Sequence, residues 1–166
     1  MQLAVTKDKS LGAVFDGGTR CAIGRGGIAV KGGEGDGITP IGTWPIRRVY
    51  YRTDRIARPK TELPLFEIAP DDGWCDAPGD PNYNLPVKLP YQASAEKMYR
   101  DDHLYDIVMV LGFNDDPVVP GKGSAIFLHV AKPDYAPTEG CVALALPDLL
   151  AVLEKLKPGD SIRIVD

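Results

Sequence analysis

The chain lacks most of the features that would assign it quickly. It has only two histidines among 166 residues, and no close pair of ligand-type side chains of the kind a zinc site needs. It has no apolar run near the ~18 residues that a membrane-spanning helix requires, so no membrane partner is expected. Lys and Arg total 19 against 23 Asp and Glu, a net charge of −4. No basic stripe with interleaved aromatics appears, so nucleic acid is not an expected partner. The first ten residues, Met1 to Ser10, show no charged region, apolar core and small-residue cleavage site of a secretory leader. As encoded, the chain is expected in the cytoplasm, with the periplasm as the alternative if an export segment is missing. Three cysteines is an odd count, so a monomer leaves at least one thiol free, which a reducing compartment suits. No internal repeat or linker breaks the chain, and its length fits one domain spanning residues 1–166. The sequence carries no signal for the oligomeric state.

What is present is ordinary soluble composition, with 44% hydrophobic and 25% charged residues. Glycine (18) and proline (15) make up about a fifth of the chain, which fits many short strands joined by turns. Residues 2–6, 11–15, 20–23 and 28–31 read as strands of a β-meander. Lys31-Gly-Gly-Glu-Gly-Asp-Gly37 is glycine-rich but lacks the spacing and the following helix of a phosphate-binding loop, as does Gly121-Lys-Gly-Ser124. No cofactor is expected. Residues 42–51 read as a strand. Residues 52–91 read as a proline-rich loop region with a short strand at 65–69, and Asp76, Asp80, Tyr83 and Asn84 are its candidate polar contacts. Residues 93–100 read as a short helix capped by Ser94, and 104–112 as the central strand. His103 follows Asp101 and Asp102 and is expected to pair with a carboxylate. Leu146-Pro147-Asp148 opens a helix, with Leu149, Leu150, Leu153 and Leu156 on one face. Lys155, Lys157 and Pro158-Gly159 are expected to close it, and 161–165 is a last strand.

The most informative stretch runs from Ser124 to Leu144. Ala125 to Leu128 reads as a buried strand that delivers His129 at its end, and a proline-rich loop follows. Thr138-Glu139-Gly140 then leads into Cys141 and a second strand, Val142 to Leu144. If the two strands are neighbours, the imidazole and the thiol meet at one sheet edge. A free thiol is only a few per cent ionised at neutral pH, and a neighbouring imidazole is expected to shift it to the reactive form. Gly140 lets substrate approach the backbone, and the N–H groups of Gly140 and Cys141 are candidates to hold an oxyanion. By spacing alone, Cys141 is as readily a small buried hydrophobe and His129 a satisfied strand-end histidine.

These residues resemble the YkuD-type L,D-transpeptidase catalytic domain, which carries a strand-end His, a loop, and Ser/Thr-x-Gly-Cys. The matching positions are His129, Thr138, Gly140 and Cys141, with further likeness at Glu34-Gly-Asp-Gly-Ile-Thr-Pro-Ile-Gly42, Tyr83-Asn84 and Gly123 to His129. Many members have His before the Gly and Arg or Asn two residues after the Cys, where this chain has Glu139 and Ala143. The resemblance implies a mainly β fold, a mixed sheet sandwich with a C-terminal helix and short helical pieces. It also implies an acyl-transfer enzyme on peptidoglycan stem peptides or muropeptides. Cys141 would be the nucleophile and His129 the base, with Tyr83, Asn84, Lys132, Thr138 and Glu139 as substrate contacts. Transfer to an amine makes the enzyme an L,D-transpeptidase, and transfer to water an L,D-carboxypeptidase trimming D-alanine during recycling. A papain-like peptidase fits poorly, because there the Cys comes first and sits on a helix. A wall-peptide-binding module with an inactive site is the non-enzyme alternative.

Overall fold

The computed structural model describes residues 1–166. In chain order the strands are β1 (Gln2–Asp8), β2 (Gly12–Phe15), β3 (Thr19–Arg20), β4 (Ile28–Ala29), β5 (Thr39–Pro40), β6 (Gly42–Tyr51) and β7 (Leu65–Glu67). They continue with β8 (Asp72–Cys75), β9 (Pro86–Lys88), β10 (Ala95–Lys97), β11 (Ile107–Leu111), β12 (Phe127–Val130) and β13 (Val142–Leu144). The helix α1 (Leu146–Leu153) and the strand β14 (Ser161–Ile164) complete the chain. The fold is mainly β, a mixed sheet with one C-terminal helix.

The main sheet runs β13-β12-β11-β6-β14-β1-β2-β3, with β7 added beside β6. Its centre is the most apolar part of the chain. Every residue of β11 (Ile-Val-Met-Val-Leu) is buried, as a strand covered on both faces must be. β6 is long and rich in aromatic and branched residues, and it pairs antiparallel with β11 and β14. Beyond β3 the chain folds back on the opposite end of the sheet. Ala22 exchanges hydrogen bonds with Ala143 (2.8 and 2.9 Å), Thr138 N–H donates to Ile23 O (2.9 Å), and Arg25 N–H donates to Thr138 O (2.8 Å). This closes the sheet at the segment holding Cys141.

The period of two sorts β12 and β13 between two cores. Leu128, Val130, Val142 and Leu144 point into the larger core, against Leu149, Leu153 and Leu156. Phe127 and Cys141 lie on the other face, in a smaller cluster with Trp74, Tyr105, Val108 and Val110.

Several expectations are corrected. The meander holds for β1-β2-β3 only, because β4 pairs parallel with β5. Residues 52–91 carry more structure than a loop with one strand, since β8 and β9 join β10 in a separate three-stranded sheet. Residues 93–100 form no helix. Ala95, Glu96 and Lys97 pair with Cys75, Trp74 and Gly73, and this tertiary pairing overrides helix-prone residues in a segment too short to hold a helix alone. The expected short helical pieces are therefore absent. α1 does start at Leu146 with proline in its first turn, but it ends at Leu153, before the lysines. A tight turn from Lys155 N–H to Val152 O finishes it and keeps Leu156 in the core.

Candidate active site

β12 and β13 are parallel neighbours, with His129 opposite Ala143. Cys141 lies two residues before Ala143 and shares its face, so imidazole and thiol are diagonal neighbours across one strand spacing. His129 lies within β12, one residue short of its end, and β12 starts at Phe127 because Ala125 has a left-handed φ of 53°. Both side chains line one cavity of about 500 Å³.

The thiol is held by the strand that carries the histidine. Cys141 Sγ donates to Ala125 O (3.2 Å) and accepts from Phe127 N–H (3.3 Å). His129 Nδ1 lies 2.9 Å from Val130 O. A carbonyl only accepts, so Nδ1 carries the proton and Nε2 keeps its lone pair. The Tyr105 ring packs edge-on against the imidazole, with centroids 5.3 Å apart, and its hydroxyl donates to Glu96.

Electrostatics depart from the expected ion pair. Burial pushes the Cys141 thiol up to about 12, and the charge of Glu96 adds to the effect. Burial likewise takes His129 down to about 4. The resting pair is a neutral thiol and a neutral imidazole.

Two threonines saturate the backbone around the cysteine. Thr138 Oγ1 accepts from Gly140 N–H (3.1 Å) and donates to Cys141 O (2.6 Å). Thr39 Oγ1 donates to Gly140 O (2.9 Å) and accepts from Gly24 N–H (2.8 Å). Of the four backbone polar groups of Gly140 and Cys141, only Cys141 N–H has no hydrogen bond within the chain. Gly140 needs to be glycine, because φ is +137° and a Cβ would stand 2.8 Å from Ile38 O.

Of the sequence-derived site residues, the structure gathers His129, Lys132, Thr138, Glu139 and Cys141 around the cavity, together with Asp76. Tyr83 and Asn84 are buried and do not line it. Tyr83 hydroxyl donates to Glu34 and accepts from Gly123 N–H (2.9 Å). Asn84 accepts from Trp74 Nε1 and Ala125 N–H (3.0 Å each) and donates to Phe113 O and Asn114 O. They brace the wall that holds the thiol. Glu139 is exposed and bonds Arg25 Nε at 3.0 Å. Asp80 bonds Tyr91, and His103 Nδ1 lies 2.8 Å from Asp106, outside the cavity. Cys21 and Cys75 are buried free thiols elsewhere.

Sequence reasoning missed Glu34, Glu96, Arg100 and Tyr105, which also line the cavity. Glu96 was hidden by the helix reading, and Glu34 by the glycine-rich loop around it. Carboxylates Glu34, Asp76 and Glu96 share the cavity with Lys31, Arg100 and Lys132. Lys31 is committed to Asp36 (2.5 Å) and Arg100 to Asp102 (2.6 Å). With Glu139 also at the cavity, four acidic and three basic groups suit a zwitterionic ligand better than a purely anionic or apolar one.

The family model described as L,D-transpeptidase catalytic domain, YkuD, matches residues 2–164. No curated protein and no solved structure matches the chain.

Proposed function

The chain belongs to the YkuD L,D-transpeptidase family, and from that premise we propose that it is an acyl-transfer enzyme with Cys141 as nucleophile and His129 as base. The observation that carries this reading is the pair itself. A buried thiol and an Nδ1-protonated imidazole lie on one face of adjacent parallel strands and open into one cavity. The substrate is a peptidoglycan stem peptide, cleaved between the L-centre of diaminopimelate and a terminal D-alanine. Its free amine and carboxylates match the mixed charges of the cavity.

In acylation Sγ attacks the carbonyl carbon while the thiol proton passes to His129 Nε2. The C–N bond then breaks, the proton returns to the departing D-alanine nitrogen, and a thioester remains on Cys141. Because both groups rest neutral, proton transfer accompanies attack. Cys141 N–H is the free donor for the oxyanion, while Gly140 N–H is spent on Thr138. Attack by an amine releases a cross-linked or exchanged peptide, and attack by water releases a tripeptide.

The test is mass spectrometry of a disaccharide-tetrapeptide incubated with the protein, with and without excess D-amino acid, and with Cys141→Ala as control. Exchange or dimer in the wild type alone supports the transpeptidase. Loss of one alanine without exchange means an L,D-carboxypeptidase. Turnover that survives in Cys141→Ala removes the cysteine from the mechanism, and no turnover in either protein leaves the binding module.

A further inference from the structure

The glycine-rich segment before β6 has no phosphate-binding geometry, yet it is packed against the cysteine more closely than any side chain could be. A Cβ on Gly24 would lie 2.0 Å from Gly37 O and 2.9 Å from Gly140 Cα. A Cβ on Gly140 would meet Ile38 O at 2.8 Å. Three glycines from three separate segments therefore meet backbone to backbone. This junction delivers Thr39, which is fully buried, to the peptide that joins Gly140 to Cys141.

We infer that Thr39 is a positioning residue that aims the Cys141 N–H at the reacting carbonyl. A trans peptide holds its C=O and N–H in one plane, pointing in opposite directions. Thr39 Oγ1 fixes the C=O end at 2.9 Å and is itself fixed by Gly24 N–H at 2.8 Å. The N–H end must then point away from Thr39, and it has no hydrogen-bond partner within the chain. Thr138 holds the flanking Gly140 N–H and Cys141 O, which resists rotation on both sides. The hydroxyl belongs to a residue 101 positions away in sequence, brought in by the seam that closes the sheet. This role rests on the acyl-transfer reading.

The test compares wild type, Thr39→Val and Thr39→Ser. Acyl-enzyme formation is followed by intact mass in a single turnover, and Cys141 alkylation by iodoacetamide is followed at pH 9. Thr39→Val is expected to acylate roughly 10- to 100-fold more slowly at unchanged half-saturation, somewhat less than the loss of an oxyanion donor itself. Thr39→Ser restores acylation to within about threefold of wild type. Alkylation stays within about twofold in both, because displacement of iodide builds no oxyanion. Acylation at the wild-type rate in Thr39→Val overturns the inference. So does a parallel fall in acylation and alkylation, which marks a purely structural role. If Thr39→Val does not fold, Thr39→Ala against Thr39→Ser makes the same comparison, and equal acylation overturns it. A wild type that forms no acyl-enzyme sinks the acyl-transfer reading, and this inference with it.

Discussion

The neutral resting pair makes Cys141 slow toward simple alkylators although it is placed to act as a nucleophile. A thiol pushed up to about 12 is ionised to roughly 10⁻⁵ at pH 7, against about 3 × 10⁻² for an ordinary cysteine near 8.5. The deficit is about 3,000-fold. A more basic thiolate is a better nucleophile, which returns a factor of about 50 for a Brønsted slope near 0.5. The net expectation is alkylation roughly 60-fold slower than a free cysteine peptide, rising about tenfold per pH unit from 7 to 10 with no plateau near 8.5. His129 contributes no positive charge in this range, so His129→Ala should change alkylation by less than about threefold. The same substitution should lower acylation by about 10²- to 10⁴-fold through loss of the base. The assay is iodoacetamide labelling across pH, read on the peptide containing Cys141 so that Cys21 and Cys75 do not contribute. A plateau below pH 7 that disappears in His129→Ala would mean a thiolate–imidazolium pair and would refute the argument.

Burial of neutral His129 also makes folding pH-dependent. Its pKa falls from 6.5 to about 4, so the unfolded chain binds the extra proton between those values and stability rises with pH there. The contribution, on the order of 3 kcal/mol, is fully present above pH 6.5 and is lost as pH falls toward 4. Urea midpoints over this window should drop in the wild type and flatten in His129→Asn. Asn84→Ala strips partners from Trp74 Nε1, Ala125 N–H and two carbonyls, and should cost on the order of 3 kcal/mol by urea unfolding. It should also slow acylation, because Ala125 O holds the thiol. Gly140→Ala must place a Cβ 2.8 Å from Ile38 O at a φ that disfavours any side chain. Its melting temperature should fall by an amount equivalent to about 2 kcal/mol or more, and acylation should be undetectable. An unshifted melting curve would show that the junction yields easily.

The parts legible in the sequence were those whose pattern is local. β6 follows its aromatic and branched run, β13 was read at its full length, and α1 begins at its proline signal. That His129 and Cys141 share a face follows from the β12–β13 register, with His129 opposite Ala143, which two short, uniformly apolar strands do not report in sequence. Long-range pairing was not. Ala95 to Lys97 are good helix formers made into a strand by Trp74 and its neighbours across a gap of about twenty residues. Tyr83 and Asn84 look like groove residues beside a proline-rich loop, and only the packing shows that their polar atoms are consumed by Glu34, Gly123, Trp74 and Ala125. Thr39 lies in the family-like stretch from Glu34 to Gly42, but its role gives no sign in sequence, since a threonine before a proline in a turn-rich segment is unremarkable without its bond to Gly140.

The site and the seam of the sheet coincide for a physical reason. Within a regular ladder each backbone N–H is consumed by a neighbouring strand, so a free donor beside a nucleophile requires a break in the pairing. Bringing Ala22 and Ile23 against Ala143 and Thr138 closes the sheet, but the chain reaches Cys141 through a glycine at φ +137°, which takes Gly140 and Cys141 out of register. The unpaired groups created there would cost stability if all were left open. Thr39 and Thr138 satisfy three and leave one. Closing the sheet and exposing a single donor are thus one construction. This explains why glycines with no room for a Cβ, Gly24 and Gly140, meet directly behind the cysteine.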